Sequence, residues 1–449
     1  MASLRSPPWR RRFNSCSNRS DLKAKYNPMP NGAATAHLYE PKLAAVLREG
    51  YNLDMLRRDA VAGLTVAIVA LPLSMAIAVA SGVSPDHGLY TAIVGGFVVS
   101  LLGGSRYQIG GPAGAFITLV AATTAEIGLD GLALTVLVSG ALLTLIGLLG
   151  LGRFIRLIPH PVTVGFTGGI AVTIAASQIK DLFGLTLAHE PGPMLPKLQA
   201  LAAAATTFSL ASLALGAGCA TIIFGVRRLK PNWPGMLIAV VAASVAAWGL
   251  GLPVDTIGTR FGGIPHGLPA PHMPAFSLAL LWSVLPAAFS FTLLGGIESL
   301  LSAKVADGMT GRAHRSNMEL VAQGLANVAS AFFGGIAVTG TIARTATNVR
   351  AGARTPVSGL LHSVFLLVFM LVAGSLASYV PLAALAGVLI VVCWNMAEKA
   401  EFAALLRRPG PGAVLLTTFG LTILRDLTTG IIGGCIVAAA WWLVSRRKA

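Results

Sequence analysis

The sequence predicts an all-α polytopic membrane protein of fourteen transmembrane segments, built as two inverted repeats of seven, and three observations carry that prediction. Charged residues are 11% of the 449 positions and hydrophobic residues 55%, whereas a soluble domain is about 25% charged. The apolar residues come in runs of roughly 20 rather than in amphipathic stripes. Two further segments are too broken to be plain spans, and they fall at matching positions in the two halves, the pattern of paired discontinuous helices. A soluble enzyme, a disulfide scaffold and a disordered chain are excluded.

Residues 1–58 are polar and basic and lack an apolar core segment, so they do not read as a secretory signal. The Arg- and Ser-rich start slightly resembles an organellar transit peptide, but a cytoplasmic tail with a short helix near Pro41–Glu49 is the preferred reading. From Asp59 onward twelve runs are long enough to span: 60–81, 86–104, 131–152, 157–179, 198–226, 234–253, 276–303, 318–334, 356–378, 381–397, 411–424 and 427–445. The shorter ones require tilt or local thinning of the bilayer. The two segments outside this set are RYQIGGPAGAFITLVAATTAEIG at 106–128 and GGIAVTGTIARTATNVRAG at 334–352. Each reads as a short extended stretch followed by a half-helix of about three turns.

With these two counted as crossings and the N-terminus inside, the basic residues sort cleanly. Of the 33 Lys and Arg, Lys180, Lys197, Arg260 and Arg425 fall outside, Lys304 and Arg344 fall within spans, and the others fall inside. The net charge of +16 is therefore the positive-inside rule at work, and nucleic-acid binding is dropped as its explanation. Cys16, Cys219, Cys393 and Cys435 are far apart; the last three read as small buried hydrophobes. The eight His residues show no metal-binding spacing, and no metal site or cofactor is predicted.

An internal repeat supports the two-halves reading. Val79, Ala80, Gly82 and Gly114 fall on Val305, Ala306, Gly308 and Gly340 at one offset; Pro159 and Gly165 fall on Pro381 and Gly387 at a closely similar one. Repeats with an odd number of crossings must be inserted in opposite senses. The repeats run over about 59–253 and 276–446 of a transport domain at 59–449.

The chemistry follows from the half-helices. A helix that starts in mid-membrane presents free amides and the positive end of its dipole, which attract an anion. The first tip lies near Pro112–Ala115 and the second near Gly340–Ala343, and in oppositely inserted halves they face one cavity at the midplane. Close helix packing through the glycines is the competing reading. Arg344 lies one turn into the second half-helix, where it supplies fixed positive charge behind the site or forms a structural pair with Glu298. Glu298 is the acid placed deepest in a span. Burial and a nearby Arg act on its protonation in opposite senses, which suits a proton-coupling group; a permanently paired carboxylate is the alternative. Ser302, at i+4, shares its face. Lys304 and Asp307 read as a pair near the inner boundary. Glu319, Gln323 and Asn327 form a polar stripe for helix packing, and His160 reads as a loop histidine between two prolines.

The stretch ESLLSAKVADGMTGRAHRSNMELVAQGLANVASAFFGGIAVTGTIARTATNVRAGARTPVSGLLHS, together with AGLTVAIVALPLSMAIAVASGVSP and IGGPAGAF, resembles the SulP anion-permease family over roughly 58–445. The resemblance implies the inverted seven-plus-seven fold, with a core domain moving against a gate domain, and a homodimer. It implies an anion bound between the tips at Ala113, Gly114, Ala115, Phe116 and at Thr339, Gly340, Thr341, Ile342, Ala343, Arg344. The helices carrying Pro72–Met75, with Ser74 and Met75, and Glu298–Ser302 would flank it. Sodium-coupled bicarbonate members of the family differ here, with Asp in place of Glu298 and threonines in place of Ala113 and Ser302, which favours protons over sodium. Most members continue into a cytoplasmic STAS domain; none is expected within these 449 residues.

The sequence thus predicts a proton-coupled secondary transporter of sulfate or C4-dicarboxylates, working by alternating access. It would sit as a multi-pass protein in a bacterial plasma membrane with both termini cytoplasmic. A bicarbonate or other anion transporter or exchanger is the nearest alternative. A nucleobase permease on the same fold is disfavoured by Arg344, a channel is a further rival, and the absence of a nucleophile or acid–base constellation argues against an enzyme.

Overall fold

The computed structural model describes residues 39–152, 159–187, 191, 194–231, 233–425 and 427–448. Cys16, Arg153 and Arg156 lie outside them. A short helix, α1 (Lys42–Glu49), precedes α2 (Leu53–Ala80), whose start is fixed by Asn52, the side chain of which accepts from the Met55 amide. The helical part therefore begins ahead of the tail boundary at 58 read from the sequence. The chain continues through α3 (Pro85–Tyr90), a π-turn at Thr91–Gly95, and α4 (Gly96–Leu102), and reaches the short strand β1 (Gly110–Gly111). A 3₁₀ turn at Gly114–Phe116 leads into α5 (Ile117–Leu148). Gly128, at φ 72° and ψ −176°, breaks α5 into two helices, so the half-helix read from the sequence ends where that segment was expected to end.

Next come α6 (His160–Phe183), α7 (Met194–Ala203), α8 (Leu210–Leu229), α9 (Gly235–Gly249) and α10 (Ile257–Phe261). The second half holds α11 (Leu278–Thr310), α12 (Ser316–Phe332), strand β2 (Thr339–Gly340), α13 (Ile342–Arg350), α14 (Val357–Ala377), α15 (Leu382–Met396), α16 (Lys399–Leu406), α17 (Pro409–Leu424) and α18 (Leu427–Lys448). Among the described residues, eight helices are long and apolar enough to cross a membrane, and Gly235–Gly249 and Pro409–Leu424 are shorter apolar helices. The fourteen crossings expected from the sequence include segments that length alone does not select: the run broken by the π-turn, the polar-striped α12 and the half-helix α13.

The helices form two groups. One contains α2, α3, α4, α5, α11, α12, α13 and α14; the other contains α6, α8, α9, α15, α17 and α18. They meet where α15 and α9 cross α2 and where α6 reaches the turn at Gly114–Phe116. Pro159 and Pro381, paired at one offset in the sequence, both stand at helix N-termini, those of α6 and α15. Their partners Gly165 and Gly387 both let a neighbouring backbone approach, at Leu415 and at Gly216.

The outer surface is apolar. All six described tryptophans are exposed, from Trp441 at 45% to Trp248 at 72%, alongside Leu250, Leu278 and Val372. Such a surface belongs in lipid, with tryptophans near its boundaries. At one end Asp59 is fully buried and accepts from Tyr51 Oη, from the Arg354 and Thr355 amides, and from Thr355 Oγ1. It ties the start of α2 to the connection between α13 and α14. Burial and the Asp59 charge push the Tyr51 phenol up to about 12, so Tyr51 remains a donor to that carboxylate at neutral pH.

Candidate functional site

Two stretches from opposite halves of the chain meet in a two-stranded antiparallel pair, Gly110 opposite Gly340 and Gly111 opposite Thr339, extended by the Thr341 amide donating to Ile109 O at 3.1 Å. Being antiparallel, the two chains leave the pair in opposite senses, and each turns at once into a helix. On one side Ala113 is extended (φ −121°, ψ 145°) and the first bond of the turn is Phe116 N to Ala113 O, which leaves the Gly114 and Ala115 amides ahead of it. On the other, Thr341 is extended (φ −98°, ψ 128°) and Thr345 N donates to Thr341 O, which leaves the Ile342, Ala343 and Arg344 amides ahead. Orphan first-turn amides and aligned peptide dipoles make both tips electropositive.

The neighbouring side chains explain why these stretches stay extended. Ser299 on α11 shares a hydrogen bond with Thr339 Oγ1 at 2.8 Å and accepts from the Gly340 amide at 3.2 Å. Gln108 Nε2 donates to Ser299 O, and its side chain lies over Gly340, where a Cβ would overlap it. Asn327 clamps Val338 through both its amide and its carbonyl, at 2.9 and 2.8 Å. Ser330 and Thr91 hold Ile336 at its carbonyl and amide. The stripe Glu319, Gln323, Asn327 is buried, as the sequence predicts, and its last member fastens the second tip rather than serving helix packing alone.

The predicted residues gather here. Ala113, Ala115, Phe116, Thr339 and Thr341 are buried, Gly114 and Ile342 are partly open and Ala343 is exposed. Phe116 packs on Phe291 with ring centroids 5.3 Å apart. Across from the first tip, Ile174 of α6 and Met396 of α15 stand 3.4 and 3.6 Å from where a Cβ on Gly114 would lie, so the second helix group closes the site. Arg344 is 1% exposed and donates through Nη2 to Ser74 Oγ at 3.1 Å. Its Nη1 lies against Gly111, which at φ 155° leaves room for it. Met75 does not share that contact: it lines an apolar cavity of about 540 Å³ with Pro72, Val240 and Trp248.

Glu298 is half-buried, and its Oε2 is sealed from solvent without a hydrogen-bond partner among the described residues. The sequence left open a structural pair between Glu298 and Arg344. Among the described residues Arg344 makes no salt-bridge contact, but Glu298 lies near enough for the two charges to interact, and Arg344 Nε and Nη1 have no hydrogen-bond partner. Thr341 Oγ1 is likewise unpartnered. Ser302 donates to Thr345 Oγ1 at 3.0 Å, and Thr345 accepts from the Ile109 amide, so Ser302 braces the junction of the two stretches.

Two expectations away from the tips are corrected. Asp307 pairs with His314, taking its backbone amide and ring Nδ1 at 3.2 and 2.6 Å, while Lys304 is exposed; two donors fixed on one loop outcompete a mobile ammonium. His160 is the first residue of α6, not a loop residue, and pairs with Glu401 at 3.0 Å. Sequence reasoning missed Ser299, Gln108 and Thr345, small polar residues that gave no signal.

Comparison with known proteins places these residues in context. Residues 56–417 match the sequence model described as the Sulfate permease family. The chain is 42% identical over 398 residues to the Bacillus subtilis protein named “Putative sulfate transporter YvdB”, covering 88% of this chain and 75% of that one. It is 32% identical over 398 residues to the bicarbonate transporter BicA of Picosynechococcus sp., covering 85% and 69%. Among solved structures, the transmembrane domain of a cyanobacterial BicA superposes with a TM-score of 0.77 at 31% identity, over 85% of this chain and 98% of that one. The murine Slc26a9 anion transporter in its inward-facing state gives a TM-score of 0.83 at 19% identity, over 95% and 75%, a likeness of fold.

Proposed function

The chain belongs to the sulfate permease family, and from that premise we propose that it is a secondary active transporter that binds a small oxyanion between its two helix tips and couples its movement to a proton. The carrying observation is Arg344: a buried guanidinium with no acid in contact with it among the described residues, Glu298 interacting only at longer range, set beside two sets of orphan amides. A buried charge without a counter-ion in contact is costly, and an anion seated at the tips is the contact counter-ion that this arrangement accommodates. The amides of Gly114, Ala115, Ile342, Ala343 and Arg344 bind it as a helix N-terminus binds phosphate. The binding groups come mostly from backbone, which suits sulfate, bicarbonate and C4-dicarboxylates alike.

Glu298 lies on α11 beside these tips, one carboxylate oxygen unpartnered, and in this reading takes the proton when the anion binds. The site falls between two helix groups, which suits alternating access by movement of one group against the other. The chain is read as two oppositely inserted repeats of seven crossings, with both termini in the cytoplasm of a bacterial cell and two copies forming a dimer. Support for the repeats and for the orientation comes from the paired strands, the two helix starts at Pro159 and Pro381, and the skewed distribution of Lys and Arg.

A second reading, bicarbonate transport without protons, draws on the similarity to BicA. Uptake of radiolabelled sulfate, fumarate and bicarbonate into proteoliposomes, with and without an imposed inward proton gradient, separates the two. Gradient-driven accumulation of sulfate or fumarate supports the first reading; bicarbonate uptake indifferent to the gradient overturns it.

A further inference from the structure

A polar pocket of about 260 Å³ opens where the chain enters α2, outside the site at the helix tips. Its walls come from five places in the sequence: Glu49 at the end of α1, Asp54 and Arg58 at the start of α2, Arg106 ahead of β1, Arg312 after α11, and Arg354 between α13 and α14. Four arginines therefore line the pocket against two carboxylates, an excess of two positive charges. Each arginine stands on a different segment, so the fold and not a local run assembles the cluster. Bringing four like charges together costs energy that two carboxylates only partly offset.

The carboxylates are already engaged. Arg58 Nε pairs with Asp54 at 2.9 Å, and Arg106, whose side chain is 12% exposed, pairs with Glu49. The hydrogen bond from Arg106 holds the Glu49 carboxyl below its usual range, so that pair stays ionised. Asp59, buried behind the wall, takes the backbone amide of Arg354 and leaves its guanidinium alone. Among the described residues the side chains of Arg312 and Arg354 make no ion pair and no hydrogen bond, and both residues are exposed. The field around them is positive: Lys42 on α1 is held below its ordinary value, by burial first and then by the charges of Arg315 and Arg106. The N-terminal end of the α2 dipole adds to that field. Guanidinium forks match the oxygens of a phosphate. The pocket is smaller than the roughly 300–1,000 Å³ of ordinary ligand sites, which leaves room for one phosphate group and excludes a nucleotide.

We propose that this pocket is a second anion site, which takes a single phosphate group on Arg312 and Arg354, backed by Arg106. The phosphate comes either from water or from the headgroup of an anionic lipid. Leu47 and Leu53, exposed on the two helices that border the pocket, put lipid within reach, and basic pockets at a membrane boundary hold such headgroups. Arg106 stands four residues before β1 and Arg354 four residues after α13. A phosphate bound to both therefore ties the stretch that enters the first tip to the connection that leaves the second. The walls beyond α1 all belong to the first helix group, so filling the pocket braces that group and leaves its seam with the second group free. The inference does not depend on the role of Arg344.

Two probes test it: inorganic phosphate, titrated calorimetrically into detergent-solubilised protein, and dioleoylphosphatidylglycerol, compared with dioleoylphosphatidylcholine for retention in native mass spectrometry. The double variant Arg312→Gln/Arg354→Gln alters two exposed side chains. It should raise the Kd for phosphate about tenfold or more, or abolish selective retention of phosphatidylglycerol, and it should cancel the rise in Tm that the bound probe gives the wild type. Arg407→Gln/Arg408→Gln, at exposed positions between α16 and α17, removes the same charge elsewhere and should change neither. Arg344→Met should leave binding at the pocket intact. Phosphate bound in this variant-dependent way supports the site with a soluble ligand; phosphatidylglycerol so retained, with phosphate inert, supports it with a headgroup. The proposal is overturned if neither probe binds, if the double variant binds as the wild type does, or if the Arg407/Arg408 control loses as much. Phosphate binding lost in Arg344→Met but kept in the double variant also overturns it, by placing that phosphate at the helix tips.

Discussion

Replacing Arg344 with methionine should weaken anion binding while leaving the protein as stable as before, or more so. The side chain is 1% exposed, and among the described residues its one hydrogen bond is to Ser74 and two of its nitrogens have no partner. Methionine has similar length and removes the charge; among the described residues no carboxylate is in salt-bridge contact with Arg344, and Glu298, which interacts with it at longer range, can take up a proton once the guanidinium is gone. A buried cation of this kind is a net cost to folding, so relieving it should hold or raise the apparent Tm in the absence of anion. For binding, a unit charge about 8 Å from a monoanion at an effective dielectric of about 20 contributes about 2 kcal/mol. That corresponds to roughly a thirtyfold rise in Kd, and to more for a dianion such as sulfate. Calorimetric titration of detergent-solubilised protein with sulfate and bicarbonate, paired with thermal unfolding, gives both quantities. Affinity and stability moving in opposite senses is the signature of a charge kept for function. Unchanged affinity, or a fall in stability with affinity intact, would refute the reasoning and mark Arg344 as structural.

Three further outcomes are expected. Glu298→Gln should abolish the response of uptake to an imposed proton gradient while anion binding persists; full gradient-driven accumulation in proteoliposomes would remove Glu298 from coupling. Gly111→Ala places a Cβ on Arg344 Nη1 at a backbone φ of 155° and should impair transport severely, whereas Gly128→Ala, at φ 72° and ψ −176° with open space around it, should cost about 1–3 kcal/mol of stability and leave sulfate uptake above half of wild type. Asn327→Leu strands the buried Val338 amide and carbonyl and should lower stability by about 2–4 kcal/mol, visible as a reduced midpoint in a denaturant or thermal series.

What could be read from the sequence was what repeats or stands out against an apolar background. The half-helices were legible because GGPAGAF and AVTGTIAR break otherwise continuous hydrophobic runs, and each break fell where the structure has a strand and a helix start. Arg344 and Glu298 were legible as charges in places where charge is expensive. The means of holding the tips was not. Ser299, Gln108 and Thr345 are common residues whose role depends on a contact between segments some 40 to 240 positions apart, and no local pattern reports such a contact. The pairing of Asp307 with His314 instead of Lys304 has the same origin: helical spacing brings Lys304 near, but the loop after α11 folds back and offers two fixed donors. The π-turn at Thr91–Gly95 was also invisible. It lies where Thr91 bonds the amide of Ile336, so its cause is in the opposite half of the chain.

The central claim is that one anion sits between two helix tips drawn together by a two-residue strand pair. Its most direct test is the position of an electron-rich oxyanion, selenate, located by anomalous scattering in crystals of this protein. A single strong peak within hydrogen-bonding distance of the Gly114–Ala115 and Ile342–Arg344 amides is the predicted result. Selenate found elsewhere in the membrane-spanning region at saturating concentration, with those amides unliganded, would contradict it.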